Sequence, residues 1–245
     1  MSIFDLVKKE TEAGAPAGII YGMPGVGKTT FAASAPNCLI IDCEGGADNV
    51  VCERTPTLHS WAEIHDWLTA VESGEHDYKV IAIDSVDMLL RRLEEDVTGA
   101  QEDAGRTLNK SHGGYGNGKS VYKNRVYTQL IPLLNRIKDR GIAVLLIAHM
   151  HQVEILDSEG IKINKIGPNL PEDFQETFVS WAGFVCVAQI IGGERVLLTE
   201  GTEMLIAKNR FDMPELVPMT WKGFVGNMNF KKAAKKAKTT KKETE

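Results

Sequence analysis

The stretch Gly22 to Thr29, GMPGVGKT, fills the pattern G-x-x-x-x-G-K-[ST]. It lies between a short apolar run, AGIIYG, and a helix-forming segment, TTFAAS. No other feature limits the fold as strongly, because such a loop functions where a buried strand ends and a helix begins. Gly22, Gly25 and Gly27 let the backbone turn its N–H groups inward around phosphate at the helix start. Lys28 is expected to reach the β- and γ-phosphates, and Thr29 to ligate Mg²⁺. Met23, Pro24, Val26 and Thr30 complete the loop. The expected cofactors are ATP, standing for a nucleoside triphosphate, and Mg²⁺.

The chain beyond the loop keeps alternating strand and helix. After CLIID, the segment TLHSWAEIHDWLTAVESG has Trp61, Ile64, Trp67, Leu68 and Val71 at helical spacing, with Gly74 closing it. YKVIAIDSVDMLLRRLEEDV is a buried strand running into a helix. SVYKNRVYTQLIPLLNRIKDRG is a long helix with an internal Pro132, followed by the strand IAVLLIAH. Strands that are nearly continuous apolar runs, separated by helices, predict an α/β domain with a mainly parallel sheet flanked by helices. Residues 152–166 alternate around Asp-Ser-Glu-Gly and predict a hairpin. PEDFQETFVSWAG predicts a helix, and three further strands joined by Gly-Gly and Gly-Thr turns predict an antiparallel C-terminal extension.

With a phosphate loop upstream, an acid ending a buried strand becomes a metal-side carboxylate. KVIAIDSVD supplies Asp84 there, where it can hold Mg²⁺ through water. Many ATPases place a catalytic glutamate directly after this aspartate, but the next residue is Ser85. Hydrolysis needs a group that orients or deprotonates water, so the base must come from another element. Glu44, just past the strand LIID, reaches the same sheet edge if the two strands are neighbours. Asp42, Asp48 and Asp87 are weaker candidates.

Charge and length bound the remaining possibilities. The 245 residues suit one medium-sized domain with small additions: an N-terminal arm over 1–15, the ATPase domain over 16–229, and a tail over 230–245. The net charge of −5 conceals a tail with seven lysines against two glutamates, leaving the body at −10. The tail lacks apolar periodicity, which predicts disorder, and it reads either as a solvated terminus or as a phosphate-binding arm. No leader-like segment is evident, and the longest apolar run, Ile142 to Ala148, is far short of the roughly 20 residues that span a bilayer. A soluble, cytoplasmic protein with no membrane partner is expected. Cys38, Cys43, Cys52 and Cys186 have no metal or disulfide spacing, and His149 with His151 lacks a second ligand pair.

YGMPGVGKTTFA, LIIDCEGGAD, VIAIDSVDML, LLIAHMHQ and LIAKNRF, in this order, resemble the RecA-like ATPase core. They look most like its small phage branch, ATP-binding single-strand annealing proteins that assist recombination. The resemblance covers about residues 16–212. It implies that Glu44 activates water, that His149 senses the γ-phosphate, and that Lys208 and Arg210 reach a neighbouring subunit's nucleotide. The expected assembly is therefore a homo-oligomer, a ring or a filament.

The resemblance also directs DNA to two loops. Residues 99–119 form a glycine-rich stretch expected to be a flexible loop. Here and just beyond, Arg106, Lys110, Lys119, Lys123 and Arg125 stand among Tyr115, Tyr122 and Tyr127. Cations among aromatics suit single-stranded DNA, since cations follow phosphates and rings stack on bases. Lys162 and Lys165 in the hairpin are weaker candidates. A single-strand DNA-binding protein is a possible further partner. Two other functions remain open: a motor or loader ATPase of phage replication or packaging, and a regulatory nucleotide-binding module with little hydrolysis.

Overall fold

The computed structural model describes residues 14–47, 49–100, 105–156 and 160–230. The expected N-terminal arm up to residue 13, Asp48, and the lysine-rich tail beyond Phe230 lie outside the described residues. The elements run β1 (Ala17–Gly22), α1 (Lys28–Ala33), β2 (Cys38–Asp42), β3 (Glu53–Arg54), α2 (Trp61–Ser73), β4 (Val80–Asp84) and α3 (Val86–Thr98). They continue with α4 (Asn117–Arg125), α5 (Ile131–Asp139), β5 (Ala143–Leu156), β6 (Lys162–Pro168), α6 (Glu172–Trp181) and β7 (Phe184–Ile191). β8 (Glu194–Leu198), β9 (Lys208–Asn209), β10 (Leu216–Pro218) and α7 (Trp221–Gly226) complete the order.

The sheet has the order β10-β8-β7-β1-β5-β4-β2-β3. Every pairing from β7 to β3 is parallel, whereas β8, β9 and β10 pair antiparallel. This is the expected α/β class with an antiparallel C-terminal extension, but the extension begins one strand later than the sequence predicts. β7 joins the parallel core beside β1, and Lys208–Asn209 supplies only a two-residue strand.

Strands β1, β2 and β4 are buried along their whole length, which accounts for their unbroken apolar runs. Successive residues feed opposite faces. Ile19, Tyr21, Leu39, Ile41, Ile81 and Ile83 join a core with α2 through α6, while Ile20, Ile40, Val80 and Ala82 join one with α1 and α7. Phe224 of α7 meets Phe31 of α1 edge-on at 5.5 Å and Phe184 at 4.9 Å between ring centroids. Pairs of this geometry contribute about 0.5–1.5 kcal/mol each beyond burial, and they anchor the helix that carries Lys28.

Helix α2 closes at Gly74, as the sequence predicts, and its start is fixed by a cap. Ser60 and Glu63 form a reciprocal capping box, and Gly74 ends the helix at φ 79°. Trp61, Ile64, Leu68 and Val71 face the core, but Trp67 turns partly outward. The predicted long helix becomes α4 and α5 joined by a π-helical turn over Val126–Leu130. Pro132 follows that turn, in the first turn of α5, where its missing N–H and its ring are accommodated. The stretch expected as a loop to residue 119 turns helical at Asn117. Among the described residues no helix is long and apolar enough to cross a membrane.

Candidate active site

Strand register gathers the site. Gly22 lies opposite His149 across β1 and β5, and Asp84 opposite Asp42 across β4 and β2. The phosphate-type loop, the metal-side carboxylate and the candidate base therefore share the C-terminal edge of one parallel sheet, where open α/β folds bind ligands. Gly25 at φ 77° and Gly27 at φ 102° occupy the left-handed region, which only glycine enters without strain.

Lys28 is buried, and its Nζ donates to the carbonyls of Gly22 at 2.9 Å and Met23 at 3.1 Å. Burial pulls its ammonium below the ordinary lysine range, opposed by the charges of Asp84, Glu44 and Asp87. Thr29 Oγ1 donates to Asp84 Oδ2 at 2.6 Å. Desolvation pushes the Asp84 carboxyl up to about 6; the Thr29 hydroxyl and Lys28 work against the rise, while Glu44 and Asp42 add to it. A buried carboxylate touching a hydroxyl, with little cationic compensation, is a hard-oxygen pair suited to Mg²⁺ completed by phosphate and water. The donor set thus fits the expected metal. Among the described residues no cluster of three or more His, Cys, Asp or Glu offers a self-contained metal site.

Glu44 sits beyond β2 and is held from both sides. Its Oε2 accepts from Ser85 Oγ at 2.6 Å, and its Oε1 lies 3.6 Å from His149 Nε2. Asp42 builds the turn beneath it: Oδ1 accepts from the backbone N–H groups of Glu44, 3.1 Å, and Gly45, 2.6 Å, while Oδ2 pairs with Arg54 at 3.0 Å. With its oxygens engaged and its side chain buried, Asp42 is a positioning residue for Glu44.

The ring of His149 has a second carboxylate partner. Asp87 Oδ2 accepts from Nδ1 at 2.8 Å and also faces Asn169 Nδ2 at 3.4 Å. Asn169 closes the link by donating its backbone N–H to the His149 carbonyl at 2.8 Å. An ionised carboxylate only accepts, so Nδ1 is the donor and Nε2 points toward Glu44. Asp87 Oδ1 is buried and has no partner among the described residues.

Lys208 and Arg210 lie elsewhere. Lys208 Nζ donates to the carbonyls of Val179, 2.6 Å, and Ser180, 2.8 Å, in the last turn of α6, and Arg210 reaches Ser180 at 3.4 Å. β9 pairs with Phe184 and Val185, which pair in turn with Gly18 and Ile19 near the start of β1, so this pair of cations is remote from its own chain's loop. Burial, then the charge of Arg210, pulls the Lys208 ammonium down to about 8.

The candidate DNA residues divide. Lys123 pairs with Asp173 at 2.8 Å and Arg125 with Asp96. Tyr122 is buried, donating to the Leu90 carbonyl at 2.8 Å. Tyr115 is fully exposed, and Arg106, Lys110 and Lys119 are exposed on the same glycine-rich segment. In the hairpin Lys162 pairs with Glu154, and Lys165 donates to the Thr202 carbonyl.

Four contributors escape sequence reasoning: Arg54 behind Asp42, Ser85 as the partner of Glu44, Asn169 behind Asp87, and Arg195. Arg195 Nε donates to the carbonyl of Val26 in the loop at 3.1 Å. Only its place beside a Gly-Gly turn marks it in the sequence, and that carries no chemical signal.

A glycine loop closing on a buried lysine, a Thr–Asp oxygen pair and a held glutamate define a P-loop nucleotide site. The chain belongs to the AAA domain family, whose profile matches residues 15–211. It is also similar to the crystal structure of the RadB recombinase, with a TM-score of 0.46 and 16% identity over 86% of this chain and 90% of that one. No match was found among curated proteins.

Proposed function

We propose that the protein binds ATP with Mg²⁺, hydrolyses it, and binds single-stranded DNA as a homo-oligomer in recombination or strand annealing. The observation that carries this reading is Glu44, fixed by Ser85 and His149 on the sheet edge that also holds Thr29 and Asp84. Lys28 exchanges its loop carbonyls for β- and γ-phosphate oxygens. Thr29 and Asp84 would hold the metal, which when bound would supply positive charge against the transferring phosphoryl oxygens. Glu44 orients a water and takes its proton as the water oxygen attacks the γ-phosphorus; the bond from that phosphorus to the β–γ bridging oxygen breaks, and ADP leaves with the electron pair, giving ADP and phosphate. His149, oriented by Asp87, stands next to the base and at the root of the β5–β6 hairpin, so it links the state of the nucleotide to the surface beyond.

DNA binding is supported by exposed Tyr115, Arg106, Lys110 and Lys119 together on one segment. In an oligomer Lys208 and Arg210 complete a neighbour's site. ATP turnover with and without single-stranded DNA, in the wild type and in Lys28→Ala, tests the whole reading. DNA-stimulated turnover that Lys28→Ala abolishes is expected. DNA that neither binds at moderate salt nor changes turnover would overturn the recombination part. Absence of turnover would overturn the ATPase part.

A further inference from the structure

Glu44, Asp84 and His149 lie to one side of the P-loop strand. Counting from β1, His149 is on β5, Asp84 on β4 and Glu44 after β2. A triphosphate whose γ-phosphate faces those groups has its nucleoside on the opposite side, toward β7 and β8. Two side chains stand on that side. Ile190 and Arg195 are direct cross-strand partners and so share a face of the hairpin. By alternation it is the face of Ala188 and Leu197, which pack with Val26 and Phe31.

Arg195 touches the loop itself. Its Nε donates to Val26 O at 3.1 Å, and a β-carbon added at Gly27 would come within 3.2 Å of its Cδ and Nε. Ile190 is 56% exposed, so its aliphatic surface beside Arg195 is open to a ligand. A planar cation next to an exposed aliphatic surface suits the faces of a nucleobase: guanidinium stacks on aromatic rings, and apolar side chains line ligand clefts.

We infer that Ile190 and Arg195 form the nucleoside end of the site, with the base of the triphosphate lying against the Ile190 side chain and the Arg195 guanidinium. This rests on the P-loop reading above. Such a platform contacts the base through its faces, so it admits different bases with little discrimination between them.

Titration calorimetry with Mg-ATP and with Mg-tripolyphosphate, which lacks a nucleoside, separates the possibilities. Arg195→Ala and Ile190→Ser are each expected to weaken ATP about tenfold and to leave tripolyphosphate within about twofold. Arg195→Lys, which keeps the charge but not the plane, should behave like the alanine variant and guards against a misfolded Arg195→Ala. Equal losses for ATP and tripolyphosphate would reduce Arg195 to a pin for the loop and overturn the inference, as would unchanged ATP binding in all three variants. Wild-type protein that binds neither compound would instead sink the P-loop reading on which the inference rests.

Discussion

Ser85 Oγ donates to Glu44 Oε2 at 2.6 Å, joining residues 41 apart in the chain. The residue after Asp84, where other ATPases carry the glutamate, here holds a glutamate delivered by β2. Glu44→Gln is therefore expected to retain ATP binding while turnover falls at least 100-fold, within the range for losing a general base. Ser85→Ala should lower turnover by a smaller factor, about tenfold, since His149 still restrains Glu44. Single-turnover assays beside binding titrations check both; undiminished turnover in Glu44→Gln would move the base to another acid.

Asp84 gives a prediction with a definite sign. Its folded value of about 6 lies above the ordinary carboxylate value, so the folded protein favours the protonated form. The ionised group costs stability in full above about pH 6, and that cost disappears as pH falls through the ordinary carboxylate range. Without metal, Asp84→Asn should raise Tm at pH 7.5, the gain being up to about 3 kcal/mol and shrinking toward pH 4. Mg-ATP binding by the wild type should weaken as pH drops through 6, because protons compete for Asp84. Melting curves across pH, with and without Mg-ATP, read both effects. A variant less stable than wild type at pH 7.5 would contradict them.

Asp87 orients His149 through Nδ1. Asp87→Asn keeps an acceptor of the same shape but removes the charge, and turnover should fall by about tenfold with ATP affinity unchanged. His149→Ala should lose the stimulation by DNA more than the basal rate. The ratio of stimulated to basal turnover in the two variants is the measurement, and a ratio equal to wild type in His149→Ala would remove the histidine from the coupling.

Exposed and paired cations should separate in DNA assays. Tyr115→Ala, losing one stacked base at about 1–3 kcal/mol, should weaken single-stranded DNA roughly tenfold. Lys110→Ala and Lys119→Ala should each weaken it and reduce its salt dependence. Lys123→Ala and Arg125→Ala break ion pairs with Asp173 and Asp96 and should leave DNA affinity nearly unchanged. Fluorescence anisotropy at two salt concentrations distinguishes the sets.

Lys208 and Arg210 are tested by mixing. Glu44→Gln subunits and Lys208→Ala/Arg210→Ala subunits, each inactive alone, should regain part of the wild-type turnover when combined, because some junctions unite an intact Glu44 with an intact pair of cations. Lys208 loses its proton through about pH 8, so turnover should decline between pH 7 and 9. Mixtures that stay inactive would confine both residues to capping α6.

The P-loop, Asp84 and the order of strands and helices were legible because each is encoded locally: glycine spacing, an acid closing an apolar run, periodicity. Glu44 needed one non-local fact, that β2 neighbours β4, which the family resemblance supplied. Arg54 and Asn169 emerge only when distant segments meet, and Arg195 touches Val26 across 169 positions of sequence. β7 was misassigned to the antiparallel extension because an apolar strand reads the same whichever way its neighbour runs. The ion pairs of Lys123 with Asp173 and of Arg125 with Asp96 span 50 and 29 residues, beyond the reach of any local pattern.

Strand β5 runs unbroken from Ala143 to Leu156, with His149 midway and the hairpin at its end. Its distal half projects about 23 Å past His149 at the usual rise per residue. A tilt of about 5° at the histidine would swing the tip by about 2 Å. If His149 answers the γ-phosphate as proposed, the strand is a lever pivoting at that histidine, and whatever grips the hairpin would feel the state of the nucleotide as displacement.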